Sequence, residues 1–258
     1  MQVLVLNPAQ VKFYAKSQPR RTKTDKVDSH LIADFLRLHH SQLRPWQPKS
    51  ENLKKVQGLY RRIQDLKEDR VRSVGRIEAC GSSSSASKTI SLSFYPSQQE
   101  HLDQQIKIAT KQVIDIIAAC PFLSEQFKLM LSISGIAEQT AVGILEEIHE
   151  IQLFANAKQL AAYVGLNPAI QESGSSLKSK GSISRVGSKH LRKLLYFPAI
   201  VALQHNTVIK GFGDRLKKRG KTGKVVVVAA MRKLLHIIYG ILRRGKPFDK
   251  EMSLTFNS

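Results

Sequence analysis

The feature that most limits the possible folds is a heptad repeat of apolar residues between positions 50 and 79. Its members stand three or four residues apart, as one face of a long α-helix requires. They are Leu53, Val56, Tyr60, Ile63, Val74 and Ile77. Lys67 and Arg70 interrupt the repeat. The pattern predicts a long, imperfect coiled-coil helix that must bury its apolar seam against a partner.

A second helical pattern, from about 97 to 119, follows a Ser-rich linker at 81–88. Its apolar face consists of Ile106, Ala109, Val113, Ile116 and Ile117. The two patterns predict an antiparallel helical hairpin over 50–120. This hairpin could bury the heptad seam within the chain. An exposed seam would instead predict self-association into a homo-oligomer.

Residues 121–250 predict a further helical domain. The segment "LMLSISGIAEQTAVGILEEI" joins two helical patterns through a turn at Gly135, and it resembles a helix-hairpin-helix, whose backbone amides can hold a phosphate. An ordinary αα-hairpin accounts for the segment equally well, since Ala137 stands where such hairpins usually have Gly. The apolar stretch from about 225 to 242 predicts a core helix.

The first 45 residues predict a small α/β element. The run "VLVLNP" predicts a short buried strand ended by Asn7 and Pro8, and apolar spacing predicts a helix over 23–38. Asp25 and Asp28 lie three positions apart near the start of this helix, so they share a face and suggest a bound metal. Capping of the helix by either carboxylate is the simpler alternative. The predicted fold class is mainly α with a partial α/β element.

The charge of the chain indicates its partner. The formal net charge is +21, and the segment 177–246 holds eighteen Lys or Arg residues against one acid, Asp214. Such a field favours a polyanion, because each neutralised phosphate releases counterions. Nucleic acid is therefore the predicted partner. A generally basic domain, the alternative, would spread its charge more evenly.

Two features indicate a cytoplasmic protein that does not enter a membrane. Cys80 and Cys120 lie far apart, and neither a disulfide framework nor a zinc site is supported. The opening apolar run is too short, and too soon followed by Pro8, for a signal peptide or a membrane span.

Two basic stretches contain the candidate phosphate contacts. In the first, a Ser/Gly-rich loop within 167–195 leads into a basic helix, and its serines compete for a nucleophilic role. These serines are Ser173, Ser175, Ser176, Ser182 and Ser184. The surrounding cations are Lys178, Lys180, Arg185, Lys189, Arg192 and Lys193. On composition alone, a flexible phosphate-binding loop without a nucleophile is the better interpretation.

The second basic stretch precedes the apolar helix. Its cations are Lys217, Lys218, Arg219, Lys221 and Lys224. This cluster could clamp a nucleic-acid backbone, which contributes affinity rather than recognition of a base sequence.

The order of these pieces resembles one family over almost the whole chain. The segments "RRTKTDKVDSHLIADFL", "QLAAYVGLNP", "GSISRVGSKHLRKLLY" and "RGKTGKVVVVAAMRKLLHIIYGILRRGKPFD" are similar to the IS110/IS116/IS902 transposases, which are related to the Piv DNA invertase. The resemblance implies that residues 1–45 are the end of a RuvC-like domain and that 121–250 form the C-terminal transposase domain.

The same resemblance implies the chemistry of a DNA recombinase. Asp25 and Asp28 would supply the third and fourth acids of a DEDD site that binds Mg²⁺. Ser173, beside Gly174, would attack the DNA phosphodiester. The family also uses a structured non-coding RNA that pairs with DNA, so RNA is an implied partner.

One departure from the family restricts the expected activity. The family's first Asp and its Glu lie upstream of the "NP" strand, and no residue here takes their roles. We therefore expect an amino-terminally shortened copy with an incomplete DEDD site. Two functions remain open: DNA strand exchange by a nucleophilic serine and Mg²⁺-binding acids, or a catalytically inactive remnant that only binds nucleic acid.

Overall fold

The structure is a computed structural model in which helices dominate, and it confirms the predicted mainly α class. It describes residues 3–18, 24–43, 45–81, 87–148, 150–169, 172–173, 177–178, 182–183 and 186–249. The chain divides into two compact units, Met1–Lys49 and Ser50–Ser258. The predicted division at residue 120 falls inside the second unit and stays a prediction.

The first unit contains two helices, α1 (Pro8–Ser17) and α2 (Asp25–His39). The predicted buried strand before them is wrong, since Leu4 makes only an isolated bridge with Pro45, and Val3 and Val5 are 49% and 64% exposed. Asn7 and Pro8 begin a helix that the sequence analysis missed. The Asn7 side chain accepts a hydrogen bond from the Ala9 N–H at 2.9 Å, and Pro is well tolerated in the first turn.

Helix α2 confirms the helix predicted over 23–38. It packs against α1 through a small aromatic cluster, in which the rings of Tyr14 and Phe35 meet edge to face at 5.5 Å. Phe35 also contacts His39 at 4.6 Å, and Leu31 and Phe35 are buried.

The second unit begins with a long helical hairpin of α3 (Glu51–Gly81) and α4 (Ser87–Ala119). Arg70 Nε lies 2.6 Å from the Asp103 carboxylate, and Ser73 donates to Gln98 Oε1 at 3.3 Å. Residue numbers thus rise along one helix and fall along the other, which confirms the antiparallel hairpin. Helix α4 begins ten residues earlier than the predicted position 97, and most of the predicted linker lies outside the described residues.

The hairpin buries the heptad seam inside the chain. Its first four members are buried as predicted. Further along, Leu66 and Ser73 are buried, whereas Val74 is exposed, because a straight helix of 3.6 residues per turn drifts away from a strict seven-residue repeat. The seam from Leu53 to Ile63 is therefore covered within the chain, and homo-oligomerisation stays a prediction without support from this part of the seam.

The remaining helices build the main core of the second unit. They are α5 (Pro121–Leu131), α6 (Glu138–Glu147), α7 (Ala157–Val164), α8 (Lys189–His205), α9 (Thr207–Lys218) and α10 (Gly223–Arg244). Helix α10 packs against α5, α7, α8 and α9. By length and composition it could cross a membrane, but residues such as Leu234, Ile237 and Ile238 are buried in the protein core. The predicted core helix is confirmed.

Between α7 and α8 the backbone forms a narrow antiparallel ribbon. Its strands are β1 (Pro168–Ala169), β2 (Glu172–Ser173), β3 (Leu177–Lys178) and β4 (Ser182–Ile183). Strand β1 pairs with β4, and β2 pairs with β3 nearer the tip. The Ser/Gly-rich loop of the sequence analysis is therefore paired where it is described.

Candidate nucleic-acid interface and catalytic residues

Asp25 and Asp28 both lie in the first turn of α2. Asp25 is exposed, and Asp28 is partly buried beside a groove of about 580 Å³ that Lys12 and Leu31 also line. Thr24 is the N-cap residue, and its hydroxyl accepts a hydrogen bond from the Val27 N–H at 3.3 Å. The capping bond proposed for the aspartates is thus made by Thr24, while their charges complement the positive end of the helix dipole.

Two carboxylates do not complete a site for a divalent ion. Mg²⁺ takes six oxygen ligands in near-octahedral geometry and dehydrates reluctantly. Within the described ranges, no three His, Cys, Asp or Glu side chains lie together in a group that could hold a metal. DEDD transposases generally use a divalent metal; Asp25 and Asp28 could supply two of its ligands, but the described residues alone do not complete such a site.

Ser173 lies in β2, where its backbone is paired with Leu177. In chain order, β2 and β3 lie between β1 and β4, so Ser173 belongs to the inner of the two described strand pairs. Of the competing serines, Ser182 lies in β4, and Ser175, Ser176 and Ser184 fall outside the described residues. The ribbon thus positions the backbone of Ser173 at the far end of an excursion from the helices.

Two glycines hold the base of this ribbon. Gly165 ends α7 in a left-handed conformation, with φ of 79°. Gly187 has φ of 132°, and a Cβ atom there would lie 2.5 Å from the Tyr163 carbonyl oxygen and 2.6 Å from the Gly165 nitrogen. The Ser188 N–H donates to the same Tyr163 oxygen at 2.9 Å. The ribbon consequently leaves and rejoins the helices at one point.

The cations predicted around the serine loop have different environments. Lys189 and Lys193 on α8 are exposed, and Lys193 Nζ lies 3.9 Å from the Glu68 carboxylate. Arg192 is partly buried and donates to the Val164 carbonyl oxygen at 2.7 Å, so it supports the end of α7. Only the backbone of Lys178 is described, and Lys180 and Arg185 lie outside the described residues.

The second predicted cluster forms an exposed basic turn between α9 and α10. All of its members are solvent-exposed: Lys217, Lys218, Arg219, Lys221 and Lys224. Lys217 Nζ approaches the Asp214 carboxylate at 3.6 Å, and Thr222 begins α10 without a side-chain capping bond. A long, exposed helix end flanked by cations suits contact with a phosphate backbone.

A further polar group on α10, two cations and a histidine that is neutral near pH 7, was not predicted from the sequence. Arg232, Lys233 and His236 recur at helical spacing there and are partly buried. Burial lowers the pKa of Lys233, and Arg215 on α9 adds to the effect. The pKa of His236 is lowered to about 4, mainly by burial and further by the positive charges of Arg232, Lys233 and Lys158. The polar positions within "MRKLLHIIY" were the signal that could have revealed this face.

Gly135 has a packing role between α5 and α6. Its φ is 107°, and a Cβ atom would lie 3.0 Å from the Pro198 carbonyl oxygen and 3.1 Å from Ala202 on α8. The turn therefore packs closely against α8. This contact explains the glycine without a phosphate, so the phosphate-binding role of Gly135 stays a prediction.

Two family models match the chain. Residues 127–214 match the Transposase IS116/IS110/IS902 family, and residues 1–80 match a model of IS110-type DEDD transposases. The first match includes the ribbon, and the second includes Asp25 and Asp28.

Individual relatives match either almost the whole chain or about half of it. The pilin gene-inverting protein of Moraxella bovis is 34% identical over 252 residues, which cover 97% of this chain and 75% of the relative. The pilin gene-inverting protein of Moraxella lacunata gives the same values. The transposase of insertion sequence IS1111A from Coxiella burnetii is 29% identical over 133 residues, or 48% of this chain and 35% of the relative.

Proposed function

The chain belongs to the IS116/IS110/IS902 transposase family, and from this premise we propose that it binds DNA through its basic surface and exchanges strands by covalent attack of Ser173. The observation that carries the proposal is the set of exposed cations at the turn between α9 and α10 and on α8. Cations that are solvated and concentrated on one segment can each release a counterion from a phosphate.

Ser173 is the proposed nucleophile because the family motif falls on it and the ribbon carries its backbone away from the helices. Its Oγ forms a bond to phosphorus while the bond from phosphorus to the leaving deoxyribose oxygen breaks, and the serine proton ends on that leaving hydroxyl. Exposed cations of the same domain, such as Lys189 and Lys193 on α8, would hold the DNA backbone while Ser173 attacks it.

Asp25 and Asp28 are proposed to belong to the metal-binding acids of the family. Because no three possible ligands lie together among the described residues, a second function is also proposed: a protein that binds nucleic acid without cutting it. Structured RNA is proposed as a partner on the family resemblance alone. A homo-oligomer is proposed from the heptad pattern of the sequence, and a cytoplasmic location from its cysteine content.

DNA binding is tested by fluorescence anisotropy across a salt series. If several phosphates are contacted, affinity should fall by about two to three orders of magnitude between low and moderate salt. Competition with a structured RNA of equal length ranks the two nucleic acids, and light scattering gives the oligomeric state. A flat salt dependence would contradict the basic surface as the binding site.

The nucleophile is tested with a DNA strand that carries a p-nitrophenyl phosphodiester, whose good leaving group reduces the demand for further catalysis. We expect a protein–DNA adduct that mass spectrometry maps to Ser173. Ser173→Ala should remove the adduct and leave affinity unchanged, whereas Ser182→Ala, in the same ribbon, should retain it. An adduct on another serine would refute the assignment, and salt-dependent binding without any adduct would favour the binding-only function.

A further inference from the structure

A cavity of about 670 Å³ opens between α3, α6 and α8. Its volume lies in the range of small-ligand sites. Of the residues predicted from the sequence to bind nucleic acid, Lys193 alone contributes to its described lining. The cavity therefore needs an explanation separate from the basic turn and the ribbon.

Two carboxylates from the end of α6 form one wall. Glu146 is 3% exposed, and its Oε2 accepts a hydrogen bond from Gln57 Nε2 at 2.8 Å. Glu147 is partly buried, and its Oε1 accepts a hydrogen bond from the Ser188 hydroxyl at 2.7 Å. Both groups are acceptors held in fixed positions by neighbouring helices.

Tyr60 contributes a hydroxyl to the same wall. The residue is 3% exposed and lines the cavity, yet among the described hydrogen bonds none involves its hydroxyl. Burial, followed by the charges of Glu146 and Glu147, raises the pKa of Tyr60 to about 12, so the hydroxyl keeps its proton. Gly143 makes room for this ring, since a Cβ atom there would clash with the Tyr60 hydroxyl.

His190 adds a second unsatisfied polar group. Its ring meets that of Tyr60 edge to face at 5.7 Å, and within the part of the chain that the structure describes its buried Nε2 has no hydrogen-bond partner. Buried polar groups without partners cost free energy unless a ligand or water satisfies them. His190 Nε2 is such a buried atom, and the Tyr60 hydroxyl, which takes part in none of the described hydrogen bonds, lines the same cavity; together they indicate a polar ligand.

The mouth of the cavity carries an exposed aromatic ring. Phe197 is 72% exposed, and it meets the ring of Tyr196 edge to face at 5.6 Å. Lys193, one helical turn before Phe197, and Arg61 on α3 also line the opening. A flat apolar ring beside cations suits a base that stacks while its flanking phosphates are neutralised.

We propose that this cavity takes one unpaired nucleobase from a single strand, with guanine preferred. The base would stack on Phe197, and its amino and imino N–H groups would donate to the carboxylate wall. A carboxylate accepts two hydrogen bonds side by side from guanine, whereas thymine offers a single imino donor. This inference rests on the proposed nucleic-acid binding.

Other occupants fit the cavity less well. The lining has four carboxylates, those of Asp65, Glu68, Glu146 and Glu147, and three cations, Arg61, Lys67 and Lys193, so its excess of negative charge opposes a phosphate. A metal ion lacks a group of ligands among the described residues. A basic peptide is opposed by the net charge of +21, which favours an anionic strand that delivers a neutral base.

The test compares short single strands in which every nucleotide except the central one is abasic, and the central position carries guanine, thymine or no base. We expect the full chain to bind the guanine strand about 10-fold more tightly than the abasic strand, since one stacked base contributes on that scale. Glu147→Gln should bring the guanine and thymine strands within about 2-fold of each other, because the carboxylate then offers one acceptor fewer. Phe197→Ala should bring the affinities for the guanine and abasic strands within about 2-fold of each other.

A matched control and the contrary outcomes separate this inference from the proposed function. Phe122→Ala removes another exposed aromatic ring, on α5 and outside the described lining, and should change nothing. Equal binding of all three strands by the unaltered chain would overturn the base site and leave nucleic-acid binding intact. Equal weakening of all strands by Phe197→Ala would also overturn it. Failure to bind any strand at low salt would overturn both proposals.

Discussion

Two carboxylate pairs of this chain lie at opposite helix termini, one at the N-terminus of α2 and the other at the C-terminus of α6. Asp25 and Asp28 occupy the first turn of α2, exposed or partly buried, where negative charge complements the helix dipole. Glu146 and Glu147 are the last two residues of α6, where the dipole opposes negative charge, and Glu146 is also buried.

This difference shows which pair local structure explains. A solvated acid at a helix N-terminus contributes stability without any ligand, so its position alone says little about function. A buried acid at a helix C-terminus costs stability unless donors such as Gln57 and Ser188 offset the cost. The enclosed pair therefore needs the stronger functional explanation, and four predictions test this contrast.

The largest loss of stability is expected at Gly187, which directly precedes Ser188, the hydrogen-bond donor to Glu147. Gly187→Ala would force a Cβ atom against the Tyr163 and Gly165 backbone at a positive φ, and we expect it to cost about 3 kcal/mol or more of unfolding free energy. Urea unfolding followed by circular dichroism measures this. Gly58→Ala, in an exposed part of α3 with open space around it, should stabilise by about 0.5–1 kcal/mol. A neutral Gly187→Ala would show that the ribbon base adjusts freely.

Glu146 gives the next effect. Glu146→Ala leaves Gln57 without its acceptor and opens a gap in a packed wall, so we expect a loss of about 2–3 kcal/mol in the same unfolding assay. Glu146→Gln keeps the shape and an acceptor oxygen while it removes the charge from the helix C-terminus. It should be at least as stable as the unaltered chain. A Gln variant as unstable as the Ala variant would mean that the charge itself stabilises the wall.

Acid unfolding sharpens the comparison once His236 is taken into account. The folded pKa of His236 is about 4, below its ordinary value of 6.5, so between these values the unfolded state binds more protons than the native state. Stability should therefore fall on acidification through this window, by about 1–2 kcal/mol after allowance for solvent screening of a partly buried group. His236→Gln should flatten this part of the profile. An unchanged profile in the variant would assign the loss to other groups.

The smallest effect is expected for the exposed pair. Asp25→Ala with Asp28→Ala removes only dipole interactions and should cost less than about 1 kcal/mol. The chain's single tryptophan, Trp46, lies in the first unit and reports its unfolding by fluorescence. Thr24→Ala removes the capping bond and should lower the unfolding free energy by about 1 kcal/mol. This loss should be at least as large as that of the double aspartate variant. A larger loss for the aspartates would indicate a structural role that the described contacts do not contain.

The fold was predictable where apolar periodicity was strong. Helices α2, α3 and α10 follow from spacing alone, since each buries one continuous face. The structure at the start of the chain could not be predicted, because Asn and Pro are common both at the ends of strands and at the starts of helices. Here the hydrogen bond to the Asn7 side chain favours the helix. The late part of the seam failed at Val74 for a geometric reason, the drift of a straight helix from the heptad.

The candidate site could be predicted only where its residues lie close together in the sequence. The exposed basic turn is visible as a run of cations, and Ser173 follows from the family motif. The cavity is not visible in this way, because Tyr60, Gly143, Glu146 and His190 come from three helices far apart in the sequence. Tyr60 also belongs to the apolar seam, which hides its hydroxyl from any analysis based on periodicity.

The meeting of Gly165 and Gly187 at the base of the ribbon has a consequence for how this protein can vary. Because the chain departs and returns at one place, the number of residues between the two glycines does not determine how α7 and α8 pack. Closing a longer excursion costs little additional entropy, since the cost grows only with the logarithm of length. The segment between the two glycines can thus change in length without a change in how the helices pack.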